Sequence, residues 1–117
     1  MFEVGEINII CSDGDRSLKF YRDVLGFEVV SQEDDAYHMR CGLAKFLLLP
    51  VAGAAPKAAP YCSVPAFSVD LMTADIESAV QHFNAAHVEF ANKWKPGDSR
   101  VFIRDPDGLV FEVIQKK

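Results

Sequence analysis

The order of strand-like and helix-like patterns in this chain occurs twice, and that repeat limits its fold more than any other feature. Residues 6–49 show a strand, a helix and three strands, and residues 64–115 show the same order again. Short stretches also align, GFEV at 26–29 with HVEF at 87–90 and KFLLLP at 45–50 with VFEVIQ at 110–115. The repeat predicts an α+β fold in which two tandem β-α-β-β-β modules form a single domain of residues 1–117.

The first module is expected to span about residues 1–50. Alternating apolar side chains mark a strand at residues 6–11, and Ser12 with Asp13 supplies a helix N-cap. The apolar stripe of the helix ends at Gly26, a residue tolerant of the positive φ that follows many helices. Further strands are predicted at residues 27–31, around residues 37–40 and at residues 44–49.

The second module is expected to span about residues 62–117, after a linker at about residues 51–61. The stretch PVAGAAPKAAP at 50–60 is rich in Ala and Pro and has no hydrophobic period. His87 stands where the first module has Gly26, and His is among the residues that visit positive φ. The patterns predict a strand at 64–69, a helix at 74–86, a strand at 88–91, and a hairpin of 100–104 with 109–115 around the turn DPDG.

Length, charge and cysteine spacing exclude several classes of binding partner. The 117 residues suffice for one folded domain, and a net charge of −5 argues against nucleic acid, whose binding depends on Lys and Arg. No stretch approaches the roughly 20 apolar residues of a membrane span, and residues 1–4 show no signal-peptide pattern. We therefore expect a cytoplasmic protein without a membrane partner. Cys11, Cys41 and Cys62 lack the spacing of a zinc site or a disulfide framework and are expected to be buried.

Two motifs, SDGDRSLKFYRDVLGFEVV at 12–30 and RDPDGLVFEVIQ at 104–115, resemble those of the vicinal oxygen chelate superfamily. That superfamily includes glyoxalase I, bleomycin-resistance proteins, fosfomycin-resistance enzymes and extradiol dioxygenases. The resemblance implies that each module curls into a cup-shaped mixed sheet with its helix outside. It also implies a ligand cavity between two modules, at the interface of a homodimer.

In the metal enzymes of this family four ligands line the cavity, and the resemblance carries their positions to this sequence. The first-strand ligands fall on Glu6 and Val64, and the last-strand ligands fall on Leu47 and Glu112. Since Val64 and Leu47 are apolar, they become candidate contacts for an organic ligand. A catalytic zinc or nickel site normally needs about three protein ligands, with imidazole among them. We therefore expect no tightly bound cofactor.

The two remaining carboxylates, Glu6 and Glu112, leave several chemistries open. They could hold a divalent ion (Mn²⁺, Mg²⁺, Ni²⁺ or Zn²⁺), with hard Mg²⁺ or Mn²⁺ favoured by oxygen ligands. Without a metal, mutual repulsion would raise the proton affinity of one carboxylate, which suits a catalytic general acid or base. They could instead attract a cationic ligand, or be satisfied by water or by an arginine.

Four other side chains are candidate ligand contacts. Trp94, the only tryptophan, lies in a loop that borders the cavity mouth in the family, where its ring could stack on a planar or cationic ligand. Arg100 and Phe102 begin the last hairpin, and strand pairing explains them equally well. His38 lies on a predicted strand, where a surface or packing role is the ordinary alternative. Cys62, which shares strand parity with Val64, would enter the cavity only through a shift in register, and packing is the favoured role for its thiol.

These features favour a binding protein of the bleomycin-resistance type, which would hold a small cationic or aromatic molecule between its modules. The alternative is a glyoxalase-like lyase, isomerase or dioxygenase that uses a divalent ion on Glu6 and Glu112. A dimer that serves as a scaffold or regulator is a third possibility. The step from family to activity is an analogy, because one fold hosts many functions.

Overall fold

Two compact units, Met1–Ala55 and Pro56–Lys117, make up the chain. The computed structural model describes residues 1–53 and 59–117. Each unit holds a helix and a four-stranded mixed sheet, which confirms the predicted α+β architecture of two β-α-β-β-β modules. The predicted linker at residues 51–61 falls in part on residues 54–58, which lie outside the described residues.

The strand order of the first unit is β1-β4-β3-β2, with β1 parallel to β4 and the other pairs antiparallel. Asp13 caps the helix, as predicted, by accepting a hydrogen bond from the backbone N–H of Arg16 at 3.1 Å. A π-helical turn, Phe20–Val24, continues that helix, and Gly26 follows it with a φ of 75°. The elements are β1 Ile7–Ile10, α1 Gly14–Lys19, β2 Glu28–Glu33, β3 Ala36–Cys41 and β4 Ala44–Leu49.

The second unit repeats this arrangement in the order β5-β8-β7-β6, with β5 parallel to β8. Asp75 caps its helix, and His87 follows that helix with a φ of 58°, which confirms that His87 takes the place of Gly26. The elements are β5 Val69–Thr73, α2 Ile76–Ala85, β6 Glu89–Phe90, β7 Arg100–Arg104 and β8 Val110–Gln115. Within the described part of the chain, neither helix is long and apolar enough to cross a membrane.

The strand predicted at residues 64–69 is wrong, because β5 begins only at Val69 and Val64 lies in a bend before it. Pro65 interrupts the predicted run, since proline has no backbone N–H to donate to a strand ladder. The observed strand turns Val69 and Leu71 toward one face and Asp70 toward the other, in register with Glu112 of β8.

Alternate residues of each sheet pack against its helix and form the core. Met39, Phe46 and Leu48 are at most 2% exposed in the first unit, as are Val101, Ile103 and Val113 in the second. Since side chains alternate along a strand, the residues between them project from the opposite side, here called the helix-free face. That face carries His38, Arg40, Lys45 and Leu47 in the first unit and Arg100, Phe102 and Glu112 in the second.

Candidate functional site

The register of the first sheet fixes which side chains are neighbours on its helix-free face. One row runs across all four strands and pairs Asn8 with Leu47, Leu47 with His38, and His38 with Ser31. The adjacent row pairs Lys45 with Arg40 and Arg40 with Glu28. The loop of Gly42 and Leu43 sets these pairs, because a two-residue hairpin loop leaves Cys41 opposite Ala44.

His38 lies between two carboxylates. Its Nδ1 is 2.8 Å from Oε2 of Glu6, and its Nε2 is 3.1 Å from Oε2 of Glu33. A neutral imidazole carries only one N–H, so only the protonated ring can donate to both carboxylates at once. The hydrogen bonds to Glu33 and then to Glu6 accordingly raise the pKa of His38 above its ordinary value.

A pocket of about 510 Å³ opens on this face around His38. Its volume falls within the range of roughly 300–1,000 Å³ that is usual for small-molecule sites. Its lining includes two basic side chains, Arg40 and Lys45, and one acidic side chain, Glu6. The residues that define this first-sheet pocket are Gly5, Glu6, Val30, Ser31, His38, Met39, Arg40 and Lys45.

Glu112, on the helix-free face of the second sheet, is bound by an arginine. Nη1 of Arg100 is 2.7 Å from Oε1 of Glu112. The Glu112 side chain is 12% exposed and that of Arg100 is 60% exposed, so the guanidinium lies on the solvent side of the carboxylate. Phe102 on β7 and Asp70 on β5 are its partners on the neighbouring strands. Glu112 therefore has an arginine partner, which was one of the alternatives left open by the sequence.

Trp94 is half-buried in a loop that closes on itself. Its Nε1–H donates to the carbonyl oxygen of Asp98 at 3.1 Å, and the Asp98 carboxylate accepts from the backbone N–H of Lys95 at 2.9 Å. The side-chain oxygen of Asn92 accepts from the backbone N–H of Phe102 at 2.9 Å and ties the loop to β7. The indole N–H therefore holds the loop, and a ligand contact at Trp94 stays a prediction.

Val64 does not occupy the strand position that the resemblance gave it. The two helix caps align Asp13 with Asp75, and this alignment places Ser68, rather than Val64, at the equivalent of Glu6. The Ser68 hydroxyl is 3.1 Å from the hydroxyl of Tyr61, whose ring lies 5.2 Å from that of Phe102.

The surface around Val64 is a second, mostly apolar pocket of about 340 Å³. Its side chains include Val64, Phe67 and Leu109, all of which are exposed. Cys62 also lines it with an exposed thiol, so the expectation that this cysteine is buried was wrong. Cys62 lies outside any strand, with a φ of 66°, and strand parity does not apply to it.

Within each unit, the residues at the family's ligand positions either have another partner or offer no donor atom. Glu112 is bound by Arg100, and Leu47 offers no donor atom. Glu6 and Glu33 bind opposite nitrogens of His38, so these three side chains do not converge on one point. No group of three or more His, Cys, Asp or Glu side chains within residues 1–53 and 59–117 is placed to hold a metal.

Three side chains around the pocket, Arg40, Lys45 and Glu33, were not predicted from the sequence. The pairing of Arg40 with Lys45 could have been found from the short loop at Gly42. A two-residue loop between two strands fixes which residues lie opposite each other. Glu33 left no such signal, since the pairing of β2 with β3 shifts by one residue between Val29 and Ser31. A bulge of this kind changes which side chains face the pocket, and simple alternation does not reveal it.

Comparison with known proteins extends over nearly the whole chain. The family model described as the Glyoxalase/Bleomycin resistance protein/Dioxygenase superfamily matches residues 3–113. No curated protein sequence matches this chain.

Several solved structures share the fold. A lactoylglutathione lyase from Agrobacterium tumefaciens is 24% identical, with a TM-score of 0.69 over 97% of this chain and 92% of that one. The trypanothione-dependent glyoxalase I of Leishmania major is 19% identical, with a TM-score of 0.76 over 94% and 84%. The fosfomycin resistance protein FosX from Listeria monocytogenes, complexed with Mn(II) and sulfate, is 12% identical, with a TM-score of 0.78 over 100% and 92%. At these identities the likeness establishes the fold alone.

Proposed function

This chain belongs to the glyoxalase/bleomycin resistance protein/dioxygenase superfamily, and we propose that it is a small-molecule-binding member without the family's metal centre. The observation that carries this proposal is the first-sheet pocket, which has the volume of a small-molecule site and a mixed lining. Val30 supplies apolar contact area there, while Ser31, Arg40 and Lys45 supply hydrogen-bonding groups.

The partners of the two carboxylates support binding over metal chemistry. Glu6 is hydrogen-bonded to His38, and Glu112 is ion-paired with Arg100. Each carboxylate therefore already has a positively charged or hydrogen-bonding partner that would compete with a divalent ion. A drug-sequestering role of the bleomycin-resistance type is compatible with this arrangement, because sequestration needs only affinity.

A nuclear magnetic resonance screen of small neutral, cationic and anionic molecules, cationic aromatic antibiotics included, tests the proposal. We expect saturable shifts of the backbone amides of Val30, Ser31, His38 and Arg40. Val30→Trp should fill the pocket and abolish those shifts, whereas Val51→Trp, at an exposed position outside the pocket, should leave them intact. Absence of any saturable binding, or binding that survives Val30→Trp, contradicts the proposal.

A metal-dependent lyase, isomerase or dioxygenase is the second candidate, because the FosX structure with this fold holds Mn(II). Metal analysis of the purified protein and thermal shifts with Mn²⁺, Mg²⁺, Ni²⁺ and Zn²⁺ separate the two candidates. We expect no stoichiometric metal and no shift that depends on Glu6 or Glu112. A metal-induced rise in melting temperature that Glu6→Gln and Glu112→Gln both remove would overturn the binding proposal in favour of the enzyme.

A further inference from the structure

Two permanent cations face each other inside the first-sheet pocket. Arg40 on β3 and Lys45 on β4 are direct cross-strand partners, and both side chains are exposed on the helix-free face. Across residues 1–53 and 59–117, neither side chain has an ion pair or a hydrogen bond to another side chain. Like charges directly opposite on neighbouring strands repel each other, so this pair destabilises the free sheet unless an anion lies between them.

The carboxylates around the pair do not neutralise it. Glu28 is the partner of Arg40 on β2 but forms no ion pair with it. Glu6 and Glu33 are both engaged by His38. The pocket lining therefore contains one carboxylate, Glu6, and two basic side chains, Arg40 and Lys45. The chain as a whole has a net charge of −5. A cationic pocket on an acidic protein is a local feature that overall charge does not explain.

The charges of Arg40 and Lys45 favour a ligand that carries negative charge. Two separated cations suit the two or more oxygen atoms of a carboxylate or phosphate, and the planar guanidinium of arginine matches such groups with paired N–H donors. The argument for a cationic ligand required free carboxylates at Glu6 and Glu112, and both have cationic partners. We propose that the first-sheet pocket binds a small molecule through an oxyanion, a carboxylate or phosphate group, held between Arg40 and Lys45 beside His38. This inference rests on the proposed function and adds the class of ligand.

His38 makes the binding depend on pH. His38 and Arg40 lie in adjacent rows on the same face of β3. The other charged neighbours of His38 are Glu6 before β1, Glu33 on β2 and Lys45 on β4. A protonated His38 offsets the negative charge of Glu6 and Glu33 beside the bound oxyanion, and loss of its proton leaves these two carboxylates to repel the ligand. Affinity should therefore be highest at pH values below the pKa of His38 and should fall as the ring loses its proton. The decline should be partial, because Arg40 and Lys45 still contact the oxyanion when His38 is neutral.

Titration of the full chain with inorganic phosphate and with succinate, at an ionic strength held constant with chloride, tests the inference. Amide and arginine side-chain resonances should show saturable shifts at Ser31, His38 and Arg40. Arg40→Gln and Lys45→Gln should each weaken binding about tenfold, the scale of one lost charge-assisted hydrogen bond. Lys116→Gln removes the same charge from an exposed position outside the pocket and should leave the affinity unchanged.

The pH dependence supplies an independent readout. His38→Gln should retain succinate binding but lose the decline in affinity between about pH 6 and pH 8, the region in which histidine titrates. Succinate serves here because phosphate itself changes charge in this range. Amide spectra of each variant without ligand test whether it is folded, so that a loss of binding can be assigned to the pocket.

The possible outcomes separate this inference from the proposed function. Preference for phosphate or for succinate assigns the oxyanion and supports the inference. If neutral or cationic molecules bind the pocket while both anions fail, the inference is overturned and the proposed function stands. If no molecule of any charge binds, both fall. If Lys116→Gln weakens anion binding as much as Arg40→Gln does, the attraction is non-specific and the inference is overturned.

Discussion

His38 shares its two ring nitrogens between Glu6 and Glu33, and this makes it the side chain whose charge is most directly controlled by its neighbours. The two contacts differ in exposure, since Glu33 is much more open to solvent than Glu6. Solvent screens the more exposed contact, which weakens it as a source of stability. The arrangement therefore serves to fix the charge and orientation of the ring.

The pKa of His38 should lie above about 6.5, the ordinary value for histidine, in a titration of its ring proton resonances. Glu33→Gln and Glu6→Gln should each lower that pKa, because each removes a hydrogen-bond acceptor that favours the charged ring. Glu3→Gln, which removes the same charge from an exposed position before β1, should leave it unchanged. A pKa in the native protein at or below that of free histidine would contradict the structure.

The sign of the effect on stability follows from the raised pKa of His38. Protons bind the folded state more tightly, so the stabilisation is fully present below the unfolded value of about 6.5 and is lost as pH rises through the folded pKa. In His38→Gln the free energy of unfolding should therefore lose this part of its pH dependence. Urea denaturation across pH 5–9 measures the difference, where about 6.5 marks the onset of the decline.

Ser17 is buried on the inner side of α1, and its hydroxyl has no hydrogen-bond partner among the described residues. An unsatisfied buried hydroxyl costs stability, and alanine is also the better helix former. Ser17→Ala should therefore raise the free energy of unfolding by about 1 kcal/mol. Ser78→Ala should lower it, since the Ser78 hydroxyl donates to Asp75 at 2.8 Å. Destabilisation by Ser17→Ala in urea denaturation would mean that the hydroxyl has a partner.

At the scale of elements, the side chain of Gln115 joins the end of β8 to the start of α2. Its Oε1 accepts from the backbone N–H of Ile76 at 2.8 Å, and its Nε2 donates to the carbonyl oxygen of Ala74 at 2.7 Å. The first N–H groups of a helix have no partner within the helix, so such contacts stabilise its start. The first module has Pro50 at the equivalent position, where it packs against Gly14 at the start of α1.

Gln115→Ala should lower the free energy of unfolding by about 1–2 kcal/mol, because it leaves a part-buried N–H and a carbonyl without partners. Chemical denaturation measures the loss, and faster amide hydrogen exchange at Ile76 should accompany it. Gln81→Ala, on the exposed side of α2, should be neutral or slightly stabilising through helix propensity. Equal effects of the two substitutions would show that the contact made by Gln115 contributes little.

At the scale of the whole molecule, the repeat and its boundary signals made the fold predictable. The caps at Asp13 and Asp75, and the positive φ shared by Gly26 and His87, occur at equivalent points of both modules. The turn at residues 105–108 is also present, with Asp105 Oδ1 accepting from the backbone N–H groups of Asp107 and Leu109. These features are local, so sequence spacing suffices to find them.

The candidate site was less predictable, because its contacts cross between strands. Alternation puts Arg100 and Glu112 on one face of a hairpin, but it does not reveal that the guanidinium covers the carboxylate. The contact between Glu6 and His38 passes over β4 and depends on the strand order β1-β4-β3. The predicted position of Val64 is wrong for a different reason, because Pro65 breaks the apolar run and β5 begins only at Val69.

We expect the whole protein to be a homodimer, as the resemblance implies, with the apolar surface of Val64, Phe67 and Leu109 covered by the second copy. Exposed apolar side chains that cluster in this way favour association, because burial removes them from water. Sedimentation at several concentrations should give twice the mass of one chain, and Phe67→Ser should shift the population toward the monomer. Leu43→Ser, at another exposed apolar position, should not. A single-chain mass at all concentrations would contradict this prediction.

The strict alternation of β3 and β4 has a consequence for how this protein can change over generations. Met39, Phe46 and Leu48 hold the core, while the intervening positions 38, 40, 45 and 47 face away from it. Substitutions at positions 40, 45 and 47 alter charge and shape without disturbing the core, so most of them should leave stability within about 0.5 kcal/mol. The ligand specificity of this face can therefore change while the core stays intact. This makes the sheet a favourable starting point for the evolution of new specificities.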